Sequence, residues 1–353
     1  MSFLSADGFS YRNPFPSSYS STSSPLHLQR KIGSMSSAGD QQSQIPKKRP
    51  FCLRCCKPVR VCLCSRLRCP PIDNKIGITI LQHNREKNHP LNSVRVANLG
   101  FKNLDVIEVS DINHLARFDI RPLSVFSNGV NDGLGEWRSD SAANGGNREM
   151  GLESEESDSD GVRECRVTCN CDHLSISMNK AAKSATGNIG RALESPIGKI
   201  ISSNGFSVKK TQRKKLTEIY HFQDFKEFEV TIPPGSALLF PSKDSVCLDE
   251  VDFEIKHLLV LDGTWAKARR MYYENPWLQF LPHLKLDMKT ASLYSEVRHQ
   301  PKVGCLSTIE SIVCTLKGIG GDDTGRLQNL LDVFESMVVD QRRCKHENNI
   351  IHH

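Results

Sequence analysis

The sequence predicts an α/β domain, a mostly parallel sheet with flanking helices, preceded by a cysteine-rich segment resembling a zinc knuckle. Two observations predict the sheet. Short runs of β-branched and leucine residues are typical of buried strands, and amphipathic helical patterns alternate with them. Such alternation is typical of a parallel sheet covered on both faces. Residues 45–126 and 217–345 carry these patterns and are numerous enough for one well-buried domain.

Each predicted element follows from a local pattern. The predicted strands are the short apolar runs at 75–83, 104–111, 236–242 and 257–263, with LKLDM (284–288) as a further candidate. The predicted helices cover 94–101, 264–275, 306–321 and 324–344. Asn92 or Ser93 caps the first helix and Pro276 ends the second. The third helix starts at a Ser307/Thr308 cap with Glu310 close behind.

Two polar stretches lack such patterns. Residues 1–44 are serine-rich and are predicted to form a disordered tail, and 127–216 a disordered insert, acidic first and basic at its end. The tail has few acids, which suits a plastid or mitochondrial transit peptide; a plain tail, with a cytoplasmic or nuclear protein, is the alternative. The chain shows neither a secretory signal nor an apolar run of membrane-spanning length, so no membrane partner is expected.

The cysteines favour metal binding over disulfides. Six of the 13 cysteines lie between 52 and 69. Cys52 and Cys55, followed by Cys62 and Cys64, offer two chelating pairs of thiolates for a structural zinc, with Cys56 and Cys69 as spare candidates. Reduced cysteines acting as small apolar residues, or a redox pair, are the alternatives.

Charge and strand ends together suggest a ligand site. The net charge is +6, and nine Lys/Arg against one acid lie between Lys47 and Lys75, as in a phosphate-binding stripe or simply a solvated segment. Polar loops at 83–93, 241–244 and 262–265 follow predicted strands, and 301–308 precedes a helix. Ligands of open α/β sheets bind at the carboxyl ends of strands, so we expect these loops to share one pocket.

Five blocks of sequence carry a resemblance to a known family. They are CLRCCKPVRVCLC, ILQHNREKNHPLNSVRVANL, LLFPS, LDGTWAKARRMYYENPWLQFLPHLKL and GCLSTIE, in the order seen in DTW-domain proteins. The resemblance covers nearly all of the predicted core but neither the tail nor the insert. It implies a SPOUT-like fold with a C-terminal knotted cofactor site. It also implies transfer of the 3-amino-3-carboxypropyl group from S-adenosylmethionine to N3 of a uridine in tRNA, with release of methylthioadenosine.

The resemblance also implies roles for individual residues. The donor pocket would be lined by Leu239, Pro241, Ser242, Leu261, Gly263, Gly304, Leu306, Ser307 and Thr308. Asp262 is the candidate general base for the uridine N3 proton, with helix capping or donor binding as alternatives. Thr264 is a cap or a substrate contact. Trp265 stacks on a base or packs in the core, and core packing is slightly favoured.

Candidate tRNA contacts lie on two elements. They are His83, Arg95, Lys267, Arg269 and Arg270, with Glu86 as a further candidate for RNA or donor. A structural histidine and a solvated basic face are the plainer interpretations. Two other functions stay open: a zinc-bearing RNA-binding module without catalysis, and an S-adenosylmethionine-dependent RNA methyltransferase.

Overall fold

A computed structural model describes residues 50–123, 165–170, 172–180, 186–215, 222–287, 292–295, 304–320 and 322–351. The predicted tail 1–44, residues 127–164 of the predicted insert and 301–303 of the predicted loop lie outside these ranges. None of the described helices combines the length and the apolar character that a bilayer crossing requires.

The described residues form strands and helices in mixed order. The strands are β1 (Phe51–Cys52), β2 (Lys57–Pro58), β3 (Gly77–His83), β4 (Leu104–Val109), β5 (Leu115–Pro122), β6 (Cys165–Cys169), β7 (Leu174–Asn179), β8 (Phe206–Lys215), β9 (Phe222–Ile232), β10 (Ser236–Leu239), β11 (Val246–Cys247), β12 (His257–Asp262) and β13 (His283–Lys285). The α-helices are α1 (Val94–Gly100), α2 (Thr186–Glu194), α3 (Pro196–Asn204), α4 (Trp265–Glu274), α5 (Thr308–Ile319) and α6 (Thr324–Ile351).

A parallel sheet forms the centre of the fold, as the sequence predicts. Its strand order is β11-β13-β10-β12-β3-β4, and every neighbouring pair is parallel. Side chains alternate between its two faces: Ile80 belongs to one apolar cluster, and Leu81 to the other. The sheet is therefore buried on both sides, which explains its nearly continuous apolar strands.

Helices α1, α5 and α6 cover one face together with the cysteine segment. The predicted cap of α5 is confirmed. Ser307 Oγ accepts from Glu310 N, and the Glu310 carboxylate accepts from Ser307 N. At α1, Asn92 Oδ1 accepts from Val94 N at 3.0 Å, so of the two predicted caps Asn92 makes the side-chain bond.

A second sheet covers the other face and corrects the prediction for part of the insert. It is antiparallel, with the order β6-β7-β5-β8-β9. Strands β6, β7 and β8 and helices α2 and α3 all lie within 165–215, where the sequence predicts a disordered loop. The basic end of that segment belongs to strand β8, which pairs with β9 along its whole length and with β5 over residues 206–212.

The physical reason lies in the buried positions of β8. Alternate residues face the core: Phe206, Val208, Lys210 and Gln212. Two of these are polar, so the period-two apolar pattern that identifies a half-buried strand is lost after Val208. The helices are missed for a different reason: each has only nine residues, and glycines within both lower the helix propensity.

A buried ion pair makes the polar positions of β8 tolerable. Lys210 Nζ lies 2.9 Å from Glu227 Oε2, and the lysine side chain has no exposed surface. Gln212 Nε2 donates to the same oxygen at 2.6 Å. Glu227 Oε1 accepts from the backbone N–H of Ser110, which follows β4, at 2.5 Å. This cluster thereby attaches the antiparallel sheet to the parallel one, and its groups satisfy one another as buried charges require.

Candidate active site

A cavity of about 390 Å³ lies at the carboxyl ends of β3, β10 and β12. Polar loops from separate parts of the chain meet there, as parallel-sheet topology predicts. Most of the predicted catalytic and donor-site residues line it: Leu239, Pro241, Leu261, Asp262, Gly263, Thr264, Trp265, Gly304, Leu306, Ser307 and Thr308. Gly304 has a φ of +87°, a backbone conformation that favours glycine over residues with a Cβ.

Ser242 is the predicted pocket residue that the lining does not include. Its Oγ lies 2.8 Å from His283 Nδ1. His283 Nε2 lies 3.1 Å from the carbonyl oxygen of Leu278, to which it must donate. The Nδ1 atom is then unprotonated and accepts from Ser242. This bond braces the turn after β10 rather than facing the cavity.

Asp262 is held at the end of β12 by two donors. In the parallel register it lies opposite Gln82 of β3, whose Nε2 donates to Oδ2 at 2.9 Å. The Thr308 hydroxyl of α5 donates to Oδ1 at 2.5 Å. The carboxylate is only 8% exposed, so its orientation is fixed from both sides at the wall of the cavity.

Thr264 and Trp265, which follow Asp262, have different positions: one caps α4 and the other lies at the cavity wall. Thr264 is the N-cap of α4, because its Oγ1 accepts from Lys267 N at 3.4 Å. The capping bond at this corner therefore comes from Thr264. Trp265 lies half-buried at the cavity wall and belongs to neither apolar cluster, which corrects the preference for core packing.

Gln82 and Asn92 are site residues that sequence reasoning missed. Gln82 Nε2 lies 3.3 Å from Asn92 Oδ1 as well as near Asp262. Asn92 therefore holds Gln82 while capping α1. The available signal was the position of Gln82, directly before His83 at the end of a predicted core strand, although an amide there has no distinctive pattern.

Glu310 is a third residue whose part in the site sequence reasoning missed, because it holds a segment that lines the cavity. Glu310 accepts from Ser292 Oγ at 2.6 Å and from Leu293 N at 2.8 Å, besides its capping bond. These bonds fasten residues 292–295 to the start of α5. Tyr294, within that segment, lines the cavity and donates from its hydroxyl to the carbonyl oxygen of Leu91.

Basic residues border the cavity at α4. Lys267 Nζ forms a 2.7 Å ion pair with Glu86 Oε1, and the glutamate is a buried lining residue. Arg270 pairs with Asp111 at 3.0 Å, and Arg269 is exposed. Arg95 is half-buried and donates to the carbonyl oxygen of Lys87 at 3.3 Å, and burial lowers the pKa of its guanidinium.

His83 differs from the prediction of direct RNA contact. It is 1% exposed, so the folded chain leaves it no surface to offer a ligand. Its Nδ1 accepts from Arg85 N at 3.1 Å, so the proton is on Nε2, which lies 3.1 Å from Asp111 Oδ1. Because Asp111 also binds Arg270, His83 orients the anchor of a basic side chain.

The four predicted zinc ligands lie together. The sulfurs of Cys52, Cys55, Cys62 and Cys64 are all within 4.8 Å of one another, with pairs at 3.8 and 3.6 Å. Tetrahedral zinc with Zn–S bonds of about 2.3 Å separates its sulfurs by about 3.8 Å. The donor set therefore fits a structural metal. The spare candidates Cys56 and Cys69 are both exposed.

Local hydrogen bonds and burial have opposite effects on these thiols. The backbone N–H of Cys55 is the main cause that lowers the pKa of Cys52, to about 6. Burial raises the pKa of Cys64 to about 12. A buried thiol such as that of Cys64 resists ionisation unless a nearby cation compensates the charge of the thiolate, and a metal ion would do so.

The cysteine segment is fixed to the domain beside the cavity. Arg66 pairs with Asp340 of α6 at 2.6 Å, and Cys55 and Leu63 are buried in the apolar cluster of that face. Lys57 Nζ donates to the carbonyl oxygen of Pro90, directly before the lining residue Leu91. The segment therefore supports one wall of the cavity.

Comparison with known proteins gives a family. The family model described as "DTW domain" matches residues 49–129 and 169–342. The match includes β7 and β8, which lie in the predicted insert that the resemblance does not cover. No solved structure matches the chain significantly.

Three curated relatives match a shorter part. A Drosophila melanogaster protein named tRNA-uridine aminocarboxypropyltransferase 2 is 44% identical over 80 residues, 22% of this chain and 32% of the relative. Proteins of the same name from Macaca fascicularis and Mus musculus are each 29% identical over 86 residues, 23% of this chain and 28% of the relative. The matched segments thus span about a third or less of each relative.

Proposed function

The chain belongs to the DTW-domain family, and from that premise we propose that it is a tRNA-uridine aminocarboxypropyltransferase. The proposed donor is S-adenosylmethionine and the proposed acceptor atom is N3 of a uridine in tRNA. Support comes from the names of the relatives and from one observation above all. That observation is the carboxylate of Asp262, fixed between Gln82 and Thr308 at the wall of the cavity.

The cavity suits a donor of this size and polarity. Its volume of about 390 Å³ falls within the usual range for small-molecule sites. Apolar side chains such as Leu239 and Leu261 provide surface for an adenosine moiety. Asp262 provides a carboxylate that could face the sulfonium or the ammonium group of the donor. We further propose that the loops at 239–241 and 304–308 form the SPOUT-like knotted donor site.

The proposed reaction forms one bond and breaks one. Uridine N3 attacks the terminal methylene of the aminocarboxypropyl group, and the carbon–sulfur bond breaks with both electrons staying on sulfur. Methylthioadenosine leaves as a neutral thioether, and the N3 proton is taken up by a base. Asp262 is the proposed base, since a preoriented carboxylate can accept that proton and its two donors fix its direction. Trp265 is the proposed stacking surface for the uracil ring.

Product analysis tests the proposal. The protein is incubated with a uridine-containing tRNA and S-adenosylmethionine, and mass spectrometry identifies the modified nucleosides and the donor by-product. An aminocarboxypropyl adduct with methylthioadenosine is the expected result. S-adenosylhomocysteine with a methylated nucleoside would instead identify a methyltransferase. Retained tRNA binding with neither product would identify a non-catalytic RNA-binding module.

We also propose that Cys52, Cys55, Cys62 and Cys64 hold a structural zinc through their sulfurs. The metal would join the turn that carries Cys52 and Cys55 to the segment that carries Cys62 and Cys64, and it would stabilise the cavity wall through Lys57. Metal analysis of the purified protein should give one zinc per chain. Cys55→Ser should lose the metal and lower the melting temperature, because binding to a structural site contributes folding free energy. The exposed Cys69→Ser is the matched control, and an equal loss there would contradict the assignment.

A further inference from the structure

We propose that an exposed rim on the cysteine segment binds an unpaired stretch of RNA. The knuckle rim comprises Phe51, Leu53, Arg54, Val59 and Arg60. Its three apolar members lie within nine residues and are 54%, 88% and 53% exposed in that order. Exposed apolar side chains are common singly, but a cluster in so short a segment indicates a surface that a partner covers.

The hairpin geometry gathers these side chains. Strands β1 and β2 pair antiparallel, with Phe51 opposite Pro58. Val59 N donates to the carbonyl oxygen of Pro50 at 3.0 Å, which places Val59 beside the start of β1. Leu53 lies in the connecting turn. The sulfurs and Leu63 occupy the inner side, so the apolar groups of the rim have no place in the core.

The charge of the segment selects the partner. Between Pro50 and Ile72 the sequence has five Lys/Arg residues and no acid. Arg66 pairs with Asp340, and Lys57 is buried against Pro90. Arg54 and Arg60 are exposed, and neither takes part in an ion pair within the described ranges. Apolar and aromatic groups beside exposed arginines match unstacked bases beside phosphates. A base-paired helix keeps its bases stacked inside and would leave the apolar groups of the rim uncovered.

The hairpin that carries the rim contacts the loop before α1, and part of that loop lines the candidate active site. Lys57 joins it to Pro90, and the next residue, Leu91, lines the cavity. Arg95 lies on α1, which follows that loop, and its guanidinium donates to the carbonyl oxygen of Lys87 within the loop. In the proposal, an RNA strand with one nucleotide in the cavity passes over residues 84–93 to the rim. This inference rests on the proposed function for the choice of tRNA as the ligand.

Equilibrium binding without donor tests the rim. Fluorescence anisotropy measures the affinity of the full chain for a labelled tRNA, a single-stranded oligouridine and a blunt RNA duplex of equal length. Phe51→Ser should weaken binding of the tRNA and the single strand about tenfold, because the aromatic ring that stacks on a base is lost. Leu53→Ser should weaken binding about as much, because it removes apolar surface that the bases cover. Duplex binding should change less than about twofold. Ile200→Ser, an exposed apolar residue of α3, is the control and should bind as wild type.

Charge variants give an independent measurement. Arg54→Gln and Arg60→Gln should each reduce the slope of log affinity against log salt by about one, as loss of one phosphate contact predicts. Lys199→Gln on α3 is the matched control and should keep the slope.

Unchanged single-strand affinity in Leu53→Ser would overturn the proposal. That result is expected if the rim binds an acidic protein partner instead of RNA. Equal losses on duplex and single strand would also overturn it. Zinc content is measured for every variant. If Phe51→Ser loses metal, the test depends on Leu53→Ser alone, because the Leu53 side chain is 88% exposed and contributes little to folding. Because no donor is present, the outcome is separate from that of the transferase. A rim effect without an aminocarboxypropyl product would overturn only the proposed function.

Discussion

Asp262 of the parallel sheet and Glu227 of the antiparallel sheet both have carboxylates with little exposed surface, yet their surroundings differ. Asp262 accepts from an amide and a hydroxyl and lies at the wall of a cavity. Glu227 accepts from an amide and a hydroxyl too, but the ammonium of Lys210 lies 2.9 Å away, and Glu227 does not line the cavity. A glutamine from the neighbouring strand donates to each. Burial alone therefore does not distinguish a candidate proton acceptor; what separates Asp262 from Glu227 is its position at the wall of the cavity.

The largest effect expected is on catalysis at Asp262. Asp262→Asn preserves the shape but removes the proton acceptor, so kcat/KM should fall about 10²–10⁴-fold, the usual contribution of general base catalysis. The free energy of unfolding should change by about 1 kcal/mol, the value of one hydrogen bond. Initial rates of methylthioadenosine release and urea unfolding measure the two quantities. Glu335→Gln, an exposed acid on α6, is the control. Full activity in Asp262→Asn would refute the base assignment.

The reverse result is expected at Glu227. Glu227→Gln leaves the ammonium of Lys210 buried without its anion, which should destabilise the fold by about 3–5 kcal/mol. Activity per folded molecule should stay near wild type. The double variant Glu227→Gln with Lys210→Met should recover much of the stability, because both charges are then gone. Urea titration of all three proteins measures this, and a double variant no more stable than the single one would contradict the pairing.

The two glutamines provide a matched test at smaller amplitude. Gln82→Leu removes the donor that orients Asp262, so kcat should fall about tenfold while the KM for the donor changes little, in line with about 1–3 kcal/mol for an unsatisfied buried acceptor. Gln212→Leu should cost similar stability at Glu227 and leave kcat unchanged. A comparable loss of kcat in both variants would mean that Gln82 acts only through folding.

The smallest effect concerns Glu274, at the end of α4 beside the antiparallel sheet. Burial raises the pKa of its carboxyl, although Ile112 N–H donates to it at 2.8 Å. The native state therefore holds more protons than the unfolded one just above the ordinary pKa, and stability falls as pH rises through that window. Glu274→Gln should remove this slope and be as stable as wild type, or more so, at pH 7, by about 1 kcal/mol at most. Thermal melts between pH 4 and 7 test it, and an unchanged slope would contradict it.

Sequence reasoning predicted the parallel sheet well because its strands are buried on both faces. Runs such as GITILQH and HLLVLD need no partner to be recognised. The caps of α5 and the four cysteines were equally accessible, since each depends on residue types at fixed spacing. Strand order and strand register are different, because they depend on contacts between residues far apart in the sequence.

The polar cluster could not be predicted for that reason. Gln82 and Asp262 meet only because β3 and β12 pair in one particular register. Strand β8 was not recognised because a lysine, Lys210, occupies one of its buried positions. That burial depends on an ion pair with Glu227, which lies on another strand. In both cases the sequence pattern at one residue depends on a partner that no local window contains.

The connection between β3 and β12 also has a consequence for synthesis. These neighbours in the parallel sheet are separated by the whole antiparallel sheet, and the Gln82–Asp262 bond spans 180 positions. During translation β3 cannot pair with β12, and the apolar faces of β3 and β4 stay uncovered, until residues beyond 262 leave the ribosome. The ion pair between Arg66 and Asp340 forms later still, because Asp340 is made after residue 262. Pairings of such sequence separation form late and slowly. The nascent chain is therefore most exposed to aggregation and to chaperones before its candidate active site exists, and the cavity is complete only after residues up to Ser311 have been made.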